Sequence, residues 1–191
     1  MLFQIISFLL DIASSLLTGA CLLRLYMQLQ RVSFANPVGR FVFALTDWLV
    51  LPLRKLVPAA GRWDLSCLVA AFALQLVQYL LLWLLLGAGL GLAWLPWMAV
   101  FSLVRVAVSG LMGLLIVYAV LSWVQTRSPI GDVIGRLCEP LLRPVRRVLP
   151  LVGGIDLSPL VAVVVLQVLS MVIGSLQGSL LGTALGVMAG A

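Results

Sequence analysis

Laid over itself at an offset of 92 residues, as from Pro37 to Pro129, this chain matches without a gap. NPVGRFVFALTDWLVLPLRKLVPAAGRWDLSCLVAAFALQ runs from Asn36 to Gln75, and SPIGDVIGRLCEPLLRPVRRVLPLVGGIDLSPLVAVVVLQ runs from Ser128 to Gln167. Pro37/Pro129, Gly39/Gly131, Pro52/Pro144, Arg54/Arg146, Pro58/Pro150, Gly61/Gly153, Asp64/Asp156, Ser66/Ser158 and Gln75/Gln167 coincide, and Tyr26/Tyr118 extend the match upstream. Proline and glycine set backbone geometry rather than fill apolar volume, so a hydrophobic composition does not by itself produce this register. The chain is a tandem duplication, with one repeat over residues 1–92 and the other over 93–191.

Each repeat holds two apolar runs of the roughly 20 residues needed to cross a bilayer. Composition agrees: 63% of residues are hydrophobic and 9% charged, against about 25% charged in soluble domains. The predicted fold is an all-α membrane protein with four transmembrane helices, near Leu2 to Leu29, Leu65 to Gly87, Met98 to Gln125 and Leu157 to Gly186. The N-terminus lacks a basic lead and a small-residue cleavage site, so its apolar run reads as a retained helix. Two spans return a repeat to its starting side. The copies are therefore parallel, with a pseudo-twofold expected along the membrane normal.

Both long loops then share one face. Loop 31–64 carries Arg31, Arg40, Arg54, Lys55 and Arg62, while loop 126–156 carries Arg127, Arg136, Arg143, Arg146 and Arg147. The positive-inside rule predicts cytoplasmic loops and termini on the outer side. A net charge of +6 reads as topology and attraction to anionic lipid, and no nucleic-acid partner is expected. Arg40, Asp47 and Arg54 recur every seventh position among apolar residues, as do Asp132, Glu139 and Arg146, the pattern of amphipathic interfacial helices. Pro52 and Pro144 are expected to break each loop into two short helices, because proline lacks an N–H and clashes with the preceding turn.

Four groups of residues are candidates for function. Asp64 with Ser66, and Asp156 with Ser158, read as caps of the helices that re-enter the membrane, the serine as cap residue. A lipid-headgroup contact with Arg54, Lys55, Arg143, Arg146 and Arg147, or ion handling, are the sharper readings. Gln75 and Gln167 share a helical face with those aspartates. Buried amides need partners in hydrocarbon, so the two glutamines are expected to bond each other across the repeats, or to line a polar path. Asp11 and Arg105 are expected at one depth as a boundary ion pair, the alternative being a charge relay. Gly174, Gly178, Gly182 and Gly186 recur every fourth residue as a close-packing face, whose partner is either this chain or a second copy.

Catalytic chemistry finds little here. No histidine occurs, and Cys21, Cys67 and Cys138 form no CxxC pair, so neither a metal nor a cofactor is expected. No base stands ready to activate a serine, and Lys55, the sole lysine, lies in a basic loop. The expectation is a protein that is not an enzyme.

The run RSPIGDVIGRLCEPLLRPVRRVLPLVGGIDLSPLVAVVVLQ resembles the YggT family of bacterial and plastid membrane proteins, with two membrane helices around a Pro- and Arg-rich loop ending in G-G-x-D-x-S-P. The resemblance covers both repeats and matches the duplicated form of Gram-negative bacteria. The first repeat departs from it with Arg62 where Gly154 stands and Cys67 where Pro159 stands. It implies a multi-pass protein of the bacterial inner membrane. Relatives are associated with cytochrome b haem assembly in plastids, with division and nucleoid distribution, and with osmotic tolerance involving cation uptake. The leading expectation is a scaffold or assembly factor whose basic loops bind lipid or a membrane protein, with homo-oligomerisation open. The competing one is a small transporter or channel component for osmotic adaptation.

Overall fold

The computed structural model describes residues 1–56, 64–85, 92–124, 128–148 and 156–189. Among them are six α-helices and no strand: α1 Leu2–Leu29, α2 Pro37–Leu56, α3 Leu65–Leu85, α4 Leu95–Val124, α5 Pro129–Val148 and α6 Ser158–Ala189. A 3-10 turn, Leu92–Trp94, leads into α4. Helices α1, α3, α4 and α6 are the four long apolar ones, their hydrophobic segments having mean hydropathies of 1.9, 2.1, 2.2 and 2.3. Four spans within two repeats are thus present as the sequence predicts.

The short helices begin alike in both repeats. Asn36 Oδ1 accepts the Gly39 N–H at 2.8 Å before α2, and Ser128 Oγ accepts the Gly131 N–H at 3.1 Å before α5. Proline follows each cap, where its missing N–H costs nothing. Gly39 is required sterically, since an added Cβ would lie 2.5 Å from the Phe34 carbonyl oxygen. Helix α1 ends with Arg31 at φ 53°, while the N–H groups of Arg31 and Val32 bond back to Gln28 and Met27. That left-handed turn usually takes glycine.

The expected break at the prolines does not occur. Helix α2 continues through Pro52, and α5 through Pro140 and Pro144. A proline forfeits one helical bond and clashes with the preceding turn, costing about 3 kcal/mol. Opposing that cost, Val50 and Leu142, each two residues before a proline, are fully buried, and the arginines beyond the prolines are anchored to aspartates, as described below. Each loop is therefore one packed helix.

Helix α1 packs on α3, α4 packs on α6, and α3 joins the repeats by packing on α4. A twofold would pair α6 with α1 just as α3 pairs with α4, yet among the described residues α6 and α1 make no comparable contact. The expected pseudo-twofold is broken. Helices α2 and α5 lie at one end of the bundle and touch each other. There Met27, Val32, Val133 and Leu137 form a core shared by the repeats.

Candidate functional site

The α2/α5 end holds two matching clamps. Arg54 donates to Asp64 Oδ2 through Nε at 3.1 Å and also through Nη2, while Gln28 Nε2 reaches the same oxygen at 3.4 Å. In the second repeat Arg146 donates to Asp156 Oδ2 through Nε at 2.9 Å and Nη2 at 2.7 Å. Arg146 also reaches Glu139 Oε2 at 3.2 Å and the Tyr118 hydroxyl at 2.7 Å. Each clamp ties the end of a short helix to the start of a spanning one.

Burial works to raise the Asp64 carboxyl, but hydrogen bonding and charge from Arg54, with help from Cys67 and Gln28, outweigh it and hold the group below its usual 3.8. Burial likewise works against ionised Asp156, and bonds from Ser158 and then Arg146 hold it low. The Cys138 thiol, buried on α5, is pushed up to about 11 despite Arg146. A thiol so raised is a poor nucleophile at neutral pH.

The capping residue differs from expectation. Asp64 stands immediately before α3, and its carbonyl accepts the Cys67 N–H at 3.0 Å. Asp156 Oδ1 accepts the Ser158 N–H at 2.9 Å, with Ser158 already inside α6. The Asp156 carboxylate thus takes the capping bond at the start of α6, whereas the Asp64 side chain is held by Arg54 and only its backbone carbonyl closes the first turn of α3. Ser66 and Ser158 are both buried. Gly61, Arg62, Gly153 and Gly154 lie outside the described residues.

Arg24 gives the first repeat a site that its sequence did not announce. It is 2% exposed. Its Nη1 donates to Thr46 Oγ1 and Asp47 Oδ1, both at 2.7 Å, and its guanidinium lies 4.4 Å from the Phe43 ring centroid. Phe34 stacks on Phe43 at 4.7 Å. At the equivalent positions the second repeat has Ile116, Cys138 and Glu139. Glu139, with no arginine at position 116, turns to Arg146 instead. The visible signal was a lone arginine inside an apolar run; its partners lie about twenty residues away on another helix.

The membrane-embedded polar residues also pair differently from expectation. Gln75 does not bond Gln167: its Nε2 donates to Thr18 Oγ1 at 3.1 Å, and Gln167 is exposed. Asp11 does not pair with Arg105: it accepts from Gln78 Nε2 at 3.0 Å, and Arg105 is exposed. In both cases the partner lies in the same repeat, because α3 turns its glutamine face to α1 while α6 turns the equivalent face outward. An added Cβ at Gly174 or Gly178 would meet nothing within 4 Å among the described residues, so no described neighbour packs closely on those two glycines. The surroundings of Gly182 and Gly186 lie outside the described side chains.

Of the arginines and lysine expected to meet lipid, Arg54 and Arg146 are held in the clamps, whereas Lys55, Arg143 and Arg147 are exposed. Three described groups, Arg31, Arg40 and Arg136, are likewise exposed at the same end. Phe41 (62%), Trp48 (60%) and Leu51 (51%) are exposed on α2 beside Lys55. Among the described residues no group of three or more Cys, Asp or Glu could hold a metal ion.

A sequence profile described as CCB3/YggT matches residues 3–85 and 97–177, once over each repeat. The chain is 38% identical over 169 residues to an Escherichia coli K12 protein described as uncharacterized YggT, covering 87% of both chains. It is 35% identical to a Vibrio alginolyticus protein from the proC 3' region, covering 84% of this chain and 89% of that one. A Haemophilus influenzae relative is 33% identical, with 78% and 80% covered. No solved structure matches. With the profile repeated at the duplication seen in the sequence and relatives that match nearly end to end, the chain belongs to the CCB3/YggT family.

Proposed function

We propose that the chain is a non-enzymatic scaffold of the bacterial inner membrane that docks anionic lipid through α2 and α5, held on the cytoplasmic face. The observation that carries this reading is the division of labour between the two short helices. Helix α2 exposes Phe41, Trp48 and Leu51 with Arg40 and Lys55, while α5 exposes mainly Arg136, Arg143 and Arg147 beside Ile130, Asp132 and Glu139. An exposed aromatic and aliphatic face suits the interfacial zone, and an adjacent cationic face suits acidic headgroups. The clamps hold both helices against the spanning bundle, so these faces keep a fixed orientation.

The test is native mass spectrometry of the purified chain exchanged into mixed phosphatidylglycerol and phosphatidylcholine. Retention of phosphatidylglycerol should fall several-fold in Arg136→Glu/Arg143→Glu/Arg147→Glu, with phosphatidylcholine unchanged. Equal retention of both lipids by wild type and variant would sink the reading.

One observation favours ion handling instead: the Oε1 atoms of Gln75 and Gln78 are buried without a hydrogen-bond partner. Proteoliposome flux measurements on Gln75→Leu separate the two. Flux that is present in wild type and lost in the variant would replace the scaffold by a transporter.

A further inference from the structure

The duplication shows which surfaces of this chain are meant to receive a helix. In the first repeat, α3 packs on the face of α1 that carries Thr18, Cys21 and Leu25. The equivalent face of α4 carries Gly110, Gly113 and Val117, which are exposed rather than covered by α6 among the described residues; they line an apolar groove of about 500 Å³ between α1 and α4, with α2 at its edge. In the second repeat, α6 packs on the α4 face of Val108 and Leu115. Its equivalents on α1, Leu16 and Leu23, line the opposite wall of the same groove. Each wall thus corresponds to a surface that is covered by a helix in the other repeat.

Helix α6 has the complementary vacancy. The face of α3 centred on Gln75 is buried against α1, while the equivalent face of α6, with Gln167, Gly174 and Gly178, is exposed. An amide facing hydrocarbon is costly without a partner. Glycines permit close backbone approach, and an added Cβ at Gly110, Gly113, Gly174 or Gly178 meets nothing within 4 Å among the described residues.

We propose that a second copy of this chain seats the Gln167 face of its α6 in the groove between α1 and α4. The repeat relation sets the register: Gln75 meets Thr18 in the first repeat, so Gln167 should stand level with Gly110. Reciprocal exchange of α6 gives an isologous contact that closes at two copies. The inference does not rest on the basic residues of the scaffold reading, although Phe41, Val42 and Leu45 of α2 also line the groove.

Disulfide trapping tests it directly in native membranes. Chains carrying Gly110→Cys and Gln167→Cys, each with a different tag, are co-expressed and oxidised with copper phenanthroline. A mixed disulfide dimer is expected, above a background from wild type, whose Cys21, Cys67 and Cys138 are all buried. A parallel sample carries both cysteines in one chain. A disulfide that forms only within that chain would mean that α6 rolls onto its own α4, which overturns the proposal. Absence of any trapped product at this pair also overturns it, leaving the groove to lipid.

Gly110→Leu supplies a second readout, because the side chain enters open space in the single chain and should leave helix content unchanged. Mass photometry in nanodiscs should then show a dimer for wild type and at least a tenfold weaker association for the variant. A dimer that survives the leucine unchanged argues against this groove.

Discussion

In the first repeat α1 meets α3 through Thr18, Cys21 and Leu25 with Gln75 turned inward. In the second, α4 meets α6 through Val108 and Leu115 with Leu166 and Ile173 turned inward and Gln167 turned out. The same ancestral unit therefore supports two helix-packing solutions, one polar and one apolar. What both keep is the arginine–aspartate clamp, with Arg54 on Asp64 and Arg146 on Asp156. A feature retained while the surrounding packing changed marks what the unit needs to hold its short helix down. A feature present in one copy alone, such as Arg24, marks where that copy has become specialised.

Arg24 gives the largest expected difference between the repeats. Removing one partner of a buried charge pair costs about 3–5 kcal/mol, and Arg24→Ala should approach the lower figure because Asp47 is 42% exposed. Ile116→Ala, at the equivalent but 52% exposed position, should cost under 1 kcal/mol. SDS-induced unfolding followed by circular dichroism measures both. Equal losses would show that the buried site contributes no special stability.

The clamps should differ in the same direction by less. Asp64 is 2% exposed against 17% for Asp156, so the first carboxylate is the more desolvated. Both arginines are more than a third exposed, which screens the pairs and brings Asp64→Asn to about 2 kcal/mol and Asp156→Asn to about 1 kcal/mol. The pH dependence has a definite sign. Both carboxyls are held below the usual 3.8, so their stabilisation is complete above that value and lost as pH falls through the lower folded one. Wild type should lose stability below about pH 4, and the double asparagine variant should lose less over that window. Parallel acid curves would remove the clamps from the account.

Arg31 tests whether a local turn matters beside these contacts. A non-glycine residue in the left-handed region costs about 1 kcal/mol. Arg31→Gly, at φ 53°, should stabilise the chain by up to about 1 kcal/mol. A loss on thermal unfolding in detergent would show that the Arg31 side chain contributes more than its backbone costs.

The spans were legible because about 20 apolar residues in a row admit few other folds. The amphipathic loops were legible for a similar reason: a seven-residue recurrence of charge fixes one helical face, whatever the neighbours. Partners were not. Gln75 and Gln167 both follow a leucine within an apolar run, yet one is buried and the other exposed, because α6 turns a different face to α4 than α3 turns to α1. Threonine at 18, where the second repeat has Gly110, gives Gln75 a hydroxyl to bond; in sequence it is one more small residue in an apolar run. The prolines misled for the converse reason. A local rule set the break, while burial of Val50 and Leu142 and the clamps beyond them favoured continuity.

That difference in facing makes the smallest prediction the most discriminating. Interhelical hydrogen bonds in membranes average about 0.6 kcal/mol, so Gln75→Leu should cost roughly that much in unfolding of the single chain. Gln167→Leu should cost nothing there, since it replaces an exposed amide by a side chain suited to hydrocarbon. If the exposed α6 face serves a second copy, Gln167→Leu should instead weaken dimerisation while Gln75→Leu leaves it unchanged. The two equivalent glutamines would then separate folding from association: one variant moves only the unfolding curve and the other only the monomer–dimer equilibrium. If Gln167→Leu destabilises the single chain as Gln75→Leu does, the outward turn of α6 is wrong, and the repeats pack alike.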